Sequence, residues 1–117
     1  MSQFNYHFNG SSHWFTVQAS NGEVVGRSET YSSKQACQVG AQVVKAQAPS
    51  AANPGERVAT PGQGKYEVFE GMDKQYYFRL RAAGNSEIIL QSEGYKTARG
   101  ADEGVQASKR AVAGATP

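Results

Sequence analysis

The sequence has little of the chemistry that marks metal-binding or redox proteins. Its 117 residues include one cysteine, Cys37, and two histidines, His7 and His13. A single cysteine excludes an internal disulfide and a paired-cysteine motif. Neither histidine has an Asp, Glu or Cys partner at a spacing typical of metal ligands. We therefore expect no metal and no cofactor.

Long apolar runs and a strong charge are also missing. No stretch approaches the roughly 18 apolar residues of a membrane span, and the first ten residues lack the basic and apolar regions of a secretory signal. These absences predict a cytoplasmic protein with no membrane partner. The formal net charge is only +2, which indicates no large electrostatic surface for nucleic acid.

Motifs of common enzyme classes are not found either. The chain has no G-x-S-x-G motif, no P-loop and no G-x-G-x-x-G motif. Cys37 lies in a region that we interpret as helical and lacks the electropositive surroundings of a nucleophile. We expect it to be a small buried residue, and we predict no catalytic residues.

What the sequence contains instead is an internal repeat. A segment that starts at Phe15 aligns with one that starts at Phe78, with one extra residue in the second copy at Gly84. Ten of the 34 aligned positions are identical, where unrelated segments would share about two. The identical pairs are Phe15/Phe78, Ala19/Ala82, Asn21/Asn85, Glu23/Glu87, Ser28/Ser92, Glu29/Glu93, Tyr31/Tyr95, Gly40/Gly104, Gln42/Gln106 and Lys45/Lys109. Each copy is too small to bury a sufficient core alone, so we expect one shared core.

Each copy begins with three segments that have the pattern of β-strands. In the second copy, Tyr76, Phe78 and Leu80 alternate with polar side chains, which is typical of a strand with one buried face. The predicted strands are 4–8, 13–17 and 23–26 in the first copy and 66–69, 75–81 and 87–91 in the second. Turn residues separate them, so each copy predicts a three-stranded antiparallel meander.

A helix is predicted to follow each meander. Ser33 and Thr97 are matched N-cap candidates, followed by helical runs that end near residues 48 and 112. Both helices contain a glycine at the same place, Gly40 and Gly104, although a mid-helix glycine costs about 1 kcal/mol relative to alanine. We interpret these glycines as points of close packing. The stripes expected to be buried are Ala36, Val39, Gly40 and Val43 in the first helix and Gly100, Gly104, Ala107 and Ala111 in the second.

These elements predict an α+β fold of tandem β-β-β-α repeats. The six strands should form one antiparallel sheet with both helices packed on one face. We assign residues 1–48 to the first repeat, 49–63 to a linker rich in Pro, Gly and Ala, 64–113 to the second repeat and 114–117 to a tail. Together they should form one structural domain.

The second copy contains three characteristic pieces, GKYEVF at 64–69, YFRLRAA at 77–83 and EIILQSEGY at 87–95. In this order and spacing they resemble the YegP-like family of small bacterial proteins of uncharacterised function. The resemblance spans residues 64–112 and, as a more diverged copy, residues 3–48. It implies a single sheet with helical segments exchanged between the halves, and it supplies no catalytic residues.

The first copy departs from the family pattern. Thr16 and Gln18 replace Arg79 and Arg81, and Thr30 replaces Gly94. A function that requires both arginines in each copy is therefore in doubt.

Two Ser-Glu-x-Tyr segments are the densest matches between the copies. One interpretation is structural: the serine or glutamate bonds to backbone while the tyrosine fixes the turn from strand to helix. The other makes Glu29 with Tyr31, and Glu93 with Tyr95, ligand-contacting pairs. The sequence does not decide between them.

A second candidate site is a strip on the predicted middle strands. Tyr77, Arg79 and Arg81 share the polar face of their strand, and Trp14 occupies the position equivalent to Tyr77. Such a strip is suited to stacking bases and holding phosphates. The structural alternative is cross-strand pairing of the arginines with Glu67 and Glu87.

The sequence predicts a non-catalytic binding module, with a protein partner or self-association as the leading hypothesis. A binder of single-stranded nucleic acid, with weak affinity, is the first alternative. A small-molecule binder or enzyme at the cleft between the repeats is the second.

Overall fold

A computed structural model describes the whole chain, from Met1 to Pro117. Its elements run β-β-β-α twice, as the sequence predicts. They are β1 (Gln3–Phe8), β2 (His13–Gln18), β3 (Val24–Arg27), α1 (Lys34–Gln47), a short 3₁₀ turn (Ala48–Ser50), β4 (Lys65–Glu70), β5 (Tyr76–Arg81), β6 (Ile88–Gln91) and α2 (Ala98–Gly114). Neither helix combines the length and the apolar character needed to cross a membrane.

The six strands form one antiparallel sheet in the order β1-β2-β3-β6-β5-β4. The repeats meet where Arg27 of β3 faces Gln91 of β6. These two residues are also equivalent in the alignment of the repeats, so an approximate twofold axis passes through their pair. Next to the axis, a Cβ atom on Gly26 would lie 2.8 Å from Cγ of Leu90. Gly26 therefore leaves the space that the side chain of its repeat equivalent, Leu90, occupies.

Both helices lie on one face of the sheet and enclose a single core. One cluster of buried side chains includes Phe15 and Val44 of the first repeat together with Phe78 and Val112 of the second. Cys37 is buried in this cluster, as predicted. The shared core predicted from the small size of each copy is present.

Each helix begins over its own repeat and ends over the other. At the end of α1, Oε1 of Gln47 accepts a hydrogen bond from the N–H of Ala83, in the β5–β6 turn, at 2.8 Å. At the end of α2, the carbonyl of Ala111 accepts a hydrogen bond from Oγ of Ser2 at 2.8 Å. The exchange of helices implied by the family resemblance is thus partial.

The matched lysines Lys45 and Lys109 hold the repeats together. Nζ of Lys45 in α1 donates to the carbonyls of Val112 and Ala113 at the end of α2, at 3.0 and 2.7 Å. Nζ of Lys109 in α2 donates to the carbonyl of Ala51, just after α1, at 2.7 Å. A cation near the last carbonyls of a helix is favourable, and these two lysines place one against the end of α2 and one just beyond the end of α1.

The two helix glycines mark close packing, and the group that approaches each one is a tyrosine of the same repeat. A Cβ atom on Gly40 would lie 2.6 Å from Cζ of Tyr31, and one on Gly104 would lie 2.6 Å from Cζ of Tyr95. Each tyrosine ring thus rests against the helix backbone where only glycine leaves room. Ser33 caps α1 and Thr97 caps α2 through their side chains, as predicted.

The buried face of each helix differs from the predicted stripe. Val39 was expected inside and is 53% exposed. The face that meets the sheet is rotated about the helix axis relative to the predicted stripe. The buried residues are Cys37, Gly40, Ala41 and Val44 in α1 and Ala101, Gly104, Val105, Ser108, Ala111 and Val112 in α2. Several of these buried residues are small, so they give a weak hydrophobic pattern in the sequence.

Candidate functional site

The face of the sheet opposite the helices has no covering layer, and the predicted strip lies on it. Phe78 and Leu80 of β5 point into the core and are fully buried, whereas Tyr77, Arg79 and Arg81 alternate with them and are partly exposed. The period of two in the sequence placed these side chains on the correct face.

The two arginines of the strip are paired within the sheet. Nε of Arg79 and Nε of Arg81 both donate to Oε1 of Glu67 on β4, at 2.8 and 2.7 Å. The hydrogen bond from Arg79, with that from Arg81, holds the pKa of Glu67 below its usual value although burial opposes this shift. Arg81 also donates to the carbonyl of Ser86 at 2.9 Å. The expected pairing with Glu67 is present, while Glu87 forms no ion pair.

The aromatic side chains of the strip also have partners in the chain. The guanidinium of Arg79 lies over Phe69, with Cζ 4.3 Å from the ring centroid, and Phe69 stacks on Tyr77 at 5.7 Å. The hydroxyl of Tyr77 donates to Asp73, which raises the pKa of the tyrosine and lowers that of the carboxyl. The cationic and aromatic groups of this strip are thus engaged with neighbouring residues.

Trp14 belongs to a separate group on the same face. Its ring stacks on His7 at 5.3 Å between centroids, and Cζ of Arg27 lies 5.1 Å from its centroid. Trp14 is on β2 and Tyr77 is on β5, with β3 and β6 between them. Three strand spacings of about 4.8 Å separate the two strands by about 14 Å, so the structure does not join these residues into one aromatic surface.

The Ser-Glu-x-Tyr segments follow β3 and β6 and form hydrogen bonds with the neighbouring strands β2 and β5. Oγ of Ser28 accepts a hydrogen bond from the N–H of Phe15 at 2.9 Å, and Oγ of Ser92 accepts one from the N–H of Phe78 at 2.8 Å. The backbone of Tyr31 pairs with His13. The serine and tyrosine therefore have the structural roles of the first interpretation.

The glutamate and the tyrosine of each segment have different surroundings. Burial raises the pKa of Tyr31 to about 12, with a smaller effect from Glu29, and burial also raises the pKa of Tyr95. The tyrosine side chains rest against the helices, whereas Glu29 and Glu93 are exposed and line a shallow cavity at the junction of the repeats.

The junction cavity has a volume of about 510 Å³, and its lining includes Arg27 and Gln91, the pair on the approximate twofold axis. Arg27 supplies its cation, Glu29 and Glu93 supply its carboxylates, and Val24 is its one hydrophobic side chain. Small-molecule sites are usually lined mainly by apolar side chains, so this cavity is an unusually polar one. No group of three or more His, Cys, Asp or Glu residues is placed to hold a metal ion.

Three residues of β1 direct their backbone N–H and C=O groups towards an open edge of the sheet. His13 and Phe15 of β2 use their N–H and C=O groups on the side away from β1. Their partners in β1, Phe8 and Tyr6, therefore form the pair type without mutual hydrogen bonds and direct their own N–H and C=O groups outward. Phe4, two residues before Tyr6, likewise directs its N–H and C=O groups outward. Because β1 pairs only with β2, these six groups have no strand partner.

The opposite edge, β4, already holds an extended segment of the chain. The N–H of Tyr66 donates to the carbonyl of Ala52, and the N–H of Ala52 donates to the carbonyl of Gly64, each at 2.9 Å. Ala52 runs parallel to β4 at Lys65, so the first residues of the predicted linker are part of the ordered fold. Tyr66 occupies the position in the second repeat that Phe4 has in the first.

The edge of β1 was not among the sites predicted from the sequence. Phe8 is 61% exposed and Tyr6 is 40% exposed. The equivalent positions in β4 are Glu70 and Val68, so β1 has an exposed aromatic ring where β4 has a charge. A comparison of the two copies at these positions would have revealed this difference from the sequence alone.

Comparisons with known proteins agree with this architecture. The DUF1508 family model, described as a domain of unknown function, matches the chain twice, at residues 9–53 and 72–116. A UPF0339 protein of Bordetella pertussis is 32% identical over 106 residues, which cover 91% of this chain and 84% of the relative. The UPF0339 protein YegP of Escherichia coli K12 is 30% identical over 95 residues, 81% of this chain and 74% of the relative.

Two solved structures have a similar fold. The solution NMR structure of yegP from E. coli aligns with a TM-score of 0.79 and 26% identity, over 98% of this chain and 89% of that one. The solution NMR structure of a UPF0339 protein from Shewanella oneidensis aligns with a TM-score of 0.72 and 23% identity, over 93% and 82% of the two chains.

Proposed function

The chain belongs to the DUF1508 family, whose function is unknown, and we propose that it is a non-catalytic module that binds an extended segment of a protein along the free edge of β1. Membership confirms the resemblance of the sequence to YegP-like proteins. The family supplies no activity, so the proposal rests on the surface of this chain.

One observation carries the proposal: the two edges of the sheet are equivalent, and only one of them is covered. Ala52 lies along the β4 edge with two backbone hydrogen bonds, which is the geometry of an added strand. The β1 edge offers the same groups at Phe4, Tyr6 and Phe8 without a partner. Binding a peptide as an additional strand is a common way for proteins to use such an edge.

The composition of β1 supports the same function. Proteins usually protect exposed edge strands with charges, prolines or a covering segment. β1 has the sequence QFNYHF, without a lysine, arginine, carboxylate or proline, whereas β4 contains Lys65, Glu67 and Glu70. An edge that lacks protection and carries exposed aromatic rings is suited to a partner strand.

The two alternatives are less well supported. At Tyr77, Arg79 and Arg81, the carboxylate of Glu67 already offsets part of the arginine charge, and the net charge of +2 adds little attraction for nucleic acid. Small-molecule binding at the junction would rely on a cavity with one hydrophobic side chain.

The proposal is tested with peptides selected from a phage-displayed library of random sequences. Selected peptides are synthesised and added to ¹⁵N-labelled protein, and amide shifts are recorded. We expect the largest changes at the N–H groups of Phe4, Tyr6 and Phe8, with slowed hydrogen exchange there. Peptides that shift only β5 or the junction cavity, or a library that yields no binder, would contradict the proposal.

A matched pair of variants controls for surface hydrophobicity. Phe8→Glu places at the β1 edge the residue type found at the equivalent position of β4, so the fold should tolerate it. Val39→Glu makes the same change at an exposed position of α1. The first variant should lose peptide binding, and the second should retain it.

A further inference from the structure

The β1 edge has the features of a self-complementary surface. We infer that the segment it binds is the β1 strand of a second copy, antiparallel and centred on Tyr6. This inference rests on the proposed function, since it names the occupant of the same edge.

The outward groups of β1 fit this arrangement without a mismatch. Around a twofold axis at Tyr6, the N–H and C=O groups of Tyr6 meet those of the partner's Tyr6, and Phe4 lies opposite the partner's Phe8. All six outward groups of each strand then lie opposite outward groups of the other. A twofold arrangement of this kind is the commonest form of homodimer.

Side chains on both faces are compatible with the pairing. On the helix side, the exposed ring of Phe8 would lie at the edge of the partner's buried Phe4, and the two Tyr6 rings would lie side by side. On the open side, Asn5 would lie opposite the partner's His7. No two like charges meet, because β1 has no charged residue, whereas like charges directly opposite destabilise a sheet.

The same arrangement predicts a dimer and no larger assembly. Joining two six-stranded sheets through β1 leaves β4 at both ends of the combined sheet. Each β4 is partly covered by Ala52 and carries Lys65, Glu67 and Glu70. A third copy would find no free unprotected edge, so the expected product is a closed dimer and not a fibre.

The test measures the mass of the full chain by sedimentation velocity from about 1 μM to 1 mM. We expect a concentration-dependent monomer–dimer equilibrium, which small interfaces of this kind typically give. Phe8→Glu should weaken dimerisation by about tenfold or more, because it acts twice and tenfold corresponds to only about 1.4 kcal/mol. Val39→Glu should change it less than about twofold. A dimer lost in Val39→Glu and retained in Phe8→Glu would overturn the inference.

The strand register is tested in a sample that mixes labelled and unlabelled protein. Residues in pairs without mutual hydrogen bonds bring their Hα atoms closest, so an intermolecular Hα–Hα contact between Asn5 and His7 is expected. A contact of Asn5 with its own copy in the partner would overturn the register centred on Tyr6. A chain that stays monomeric at 1 mM and still binds selected peptides at β1 would overturn self-pairing and leave the proposed function standing.

Discussion

Replacing Gly40 with alanine should destabilise the protein although alanine is the better helix former. The added Cβ atom would lie 2.6 Å from Cζ of Tyr31 and even closer to its hydroxyl, whereas ordinary carbon contacts begin near about 3.5 Å. The ring cannot retreat easily, because it stacks on the buried Phe15 with 6.5 Å between centroids. Either the helix lifts from the sheet or the tyrosine leaves its place.

The size of the effect follows from two opposing terms. Alanine gains about 1 kcal/mol over glycine within a helix, and overpacking a closed site costs about 1–3 kcal/mol. The expected result is a net loss of up to about 2 kcal/mol in the free energy of unfolding. Urea melts followed by circular dichroism and by Trp14 fluorescence measure it. Gly104→Ala, against Tyr95, should behave in the same way.

A second background isolates the contact. With Tyr31→Ala already present, Gly40→Ala meets no ring and should stabilise the protein by up to about 1 kcal/mol. Gly62→Ala, where no atom lies within 4 Å of the added carbon, serves as the neutral control. If Gly40→Ala stabilises the wild-type chain, the tyrosine is not confined against the helix and the reasoning is wrong.

Four further changes test the core and the contacts between the repeats. Tyr66→Phe should cost about 1–3 kcal/mol, because it leaves the buried hydroxyl of Ser108 without its 2.7 Å partner, and adding Ser108→Ala should recover most of that loss in urea melts. Burial raises the pKa of Tyr66 to about 12 from 10.0. The contribution of Tyr66 to the free energy of unfolding is therefore complete below pH 10, where its hydroxyl is protonated in both the folded and the unfolded state. It is lost as pH rises towards 12, by about 1.4 kcal/mol per unit, and melting temperatures that stay flat from pH 9 to 12 would contradict this. Lys45→Met should cost about 1–2 kcal/mol by removing two hydrogen bonds to α2; unchanged urea melts would show that the contact is not stabilising. Either repeat expressed alone should be unfolded or dimeric, and a monomeric half with dispersed amide resonances would disprove the shared core.

Local patterns in the sequence predicted the elements well. Strict alternation on β5 identified its buried and exposed faces, and Ser33 and Thr97 marked where both helices begin. These features depend on a few neighbouring residues. They are therefore readable without knowledge of the rest of the fold.

Features that depend on contacts between distant segments were predicted less well. The glycines Gly40 and Gly104 indicated close packing, but the approaching groups are tyrosines nine residues earlier in each copy, which no helical period relates to them. Val39 was expected inside because it shares a helical stripe with Gly40 and Val43, but it is exposed.

The candidate sites also depend on contacts between distant segments, which the sequence does not show directly. The pairing of Arg79 and Arg81 with Glu67 was one of two alternatives in the sequence, and the β4–β5 register decides it. The free edge of β1 follows only from the order of the strands, in which β3 joins β6. Equivalent repeats permit more than one such order, so composition alone does not reveal which strands lie outside.

The junction at Gly26 and Leu90 has an evolutionary consequence. In a dimer of identical single repeats, a residue on the symmetry axis meets its own copy, so it must be compatible with itself. Two leucines would compete for the one space that Leu90 now fills, and two arginines at the position of Arg27 and Gln91 would repel each other. Joining the repeats in one chain removes this requirement, because each half can then mutate separately. The asymmetric pairs at the axis are therefore substitutions that a dimer of identical repeats could not have accepted.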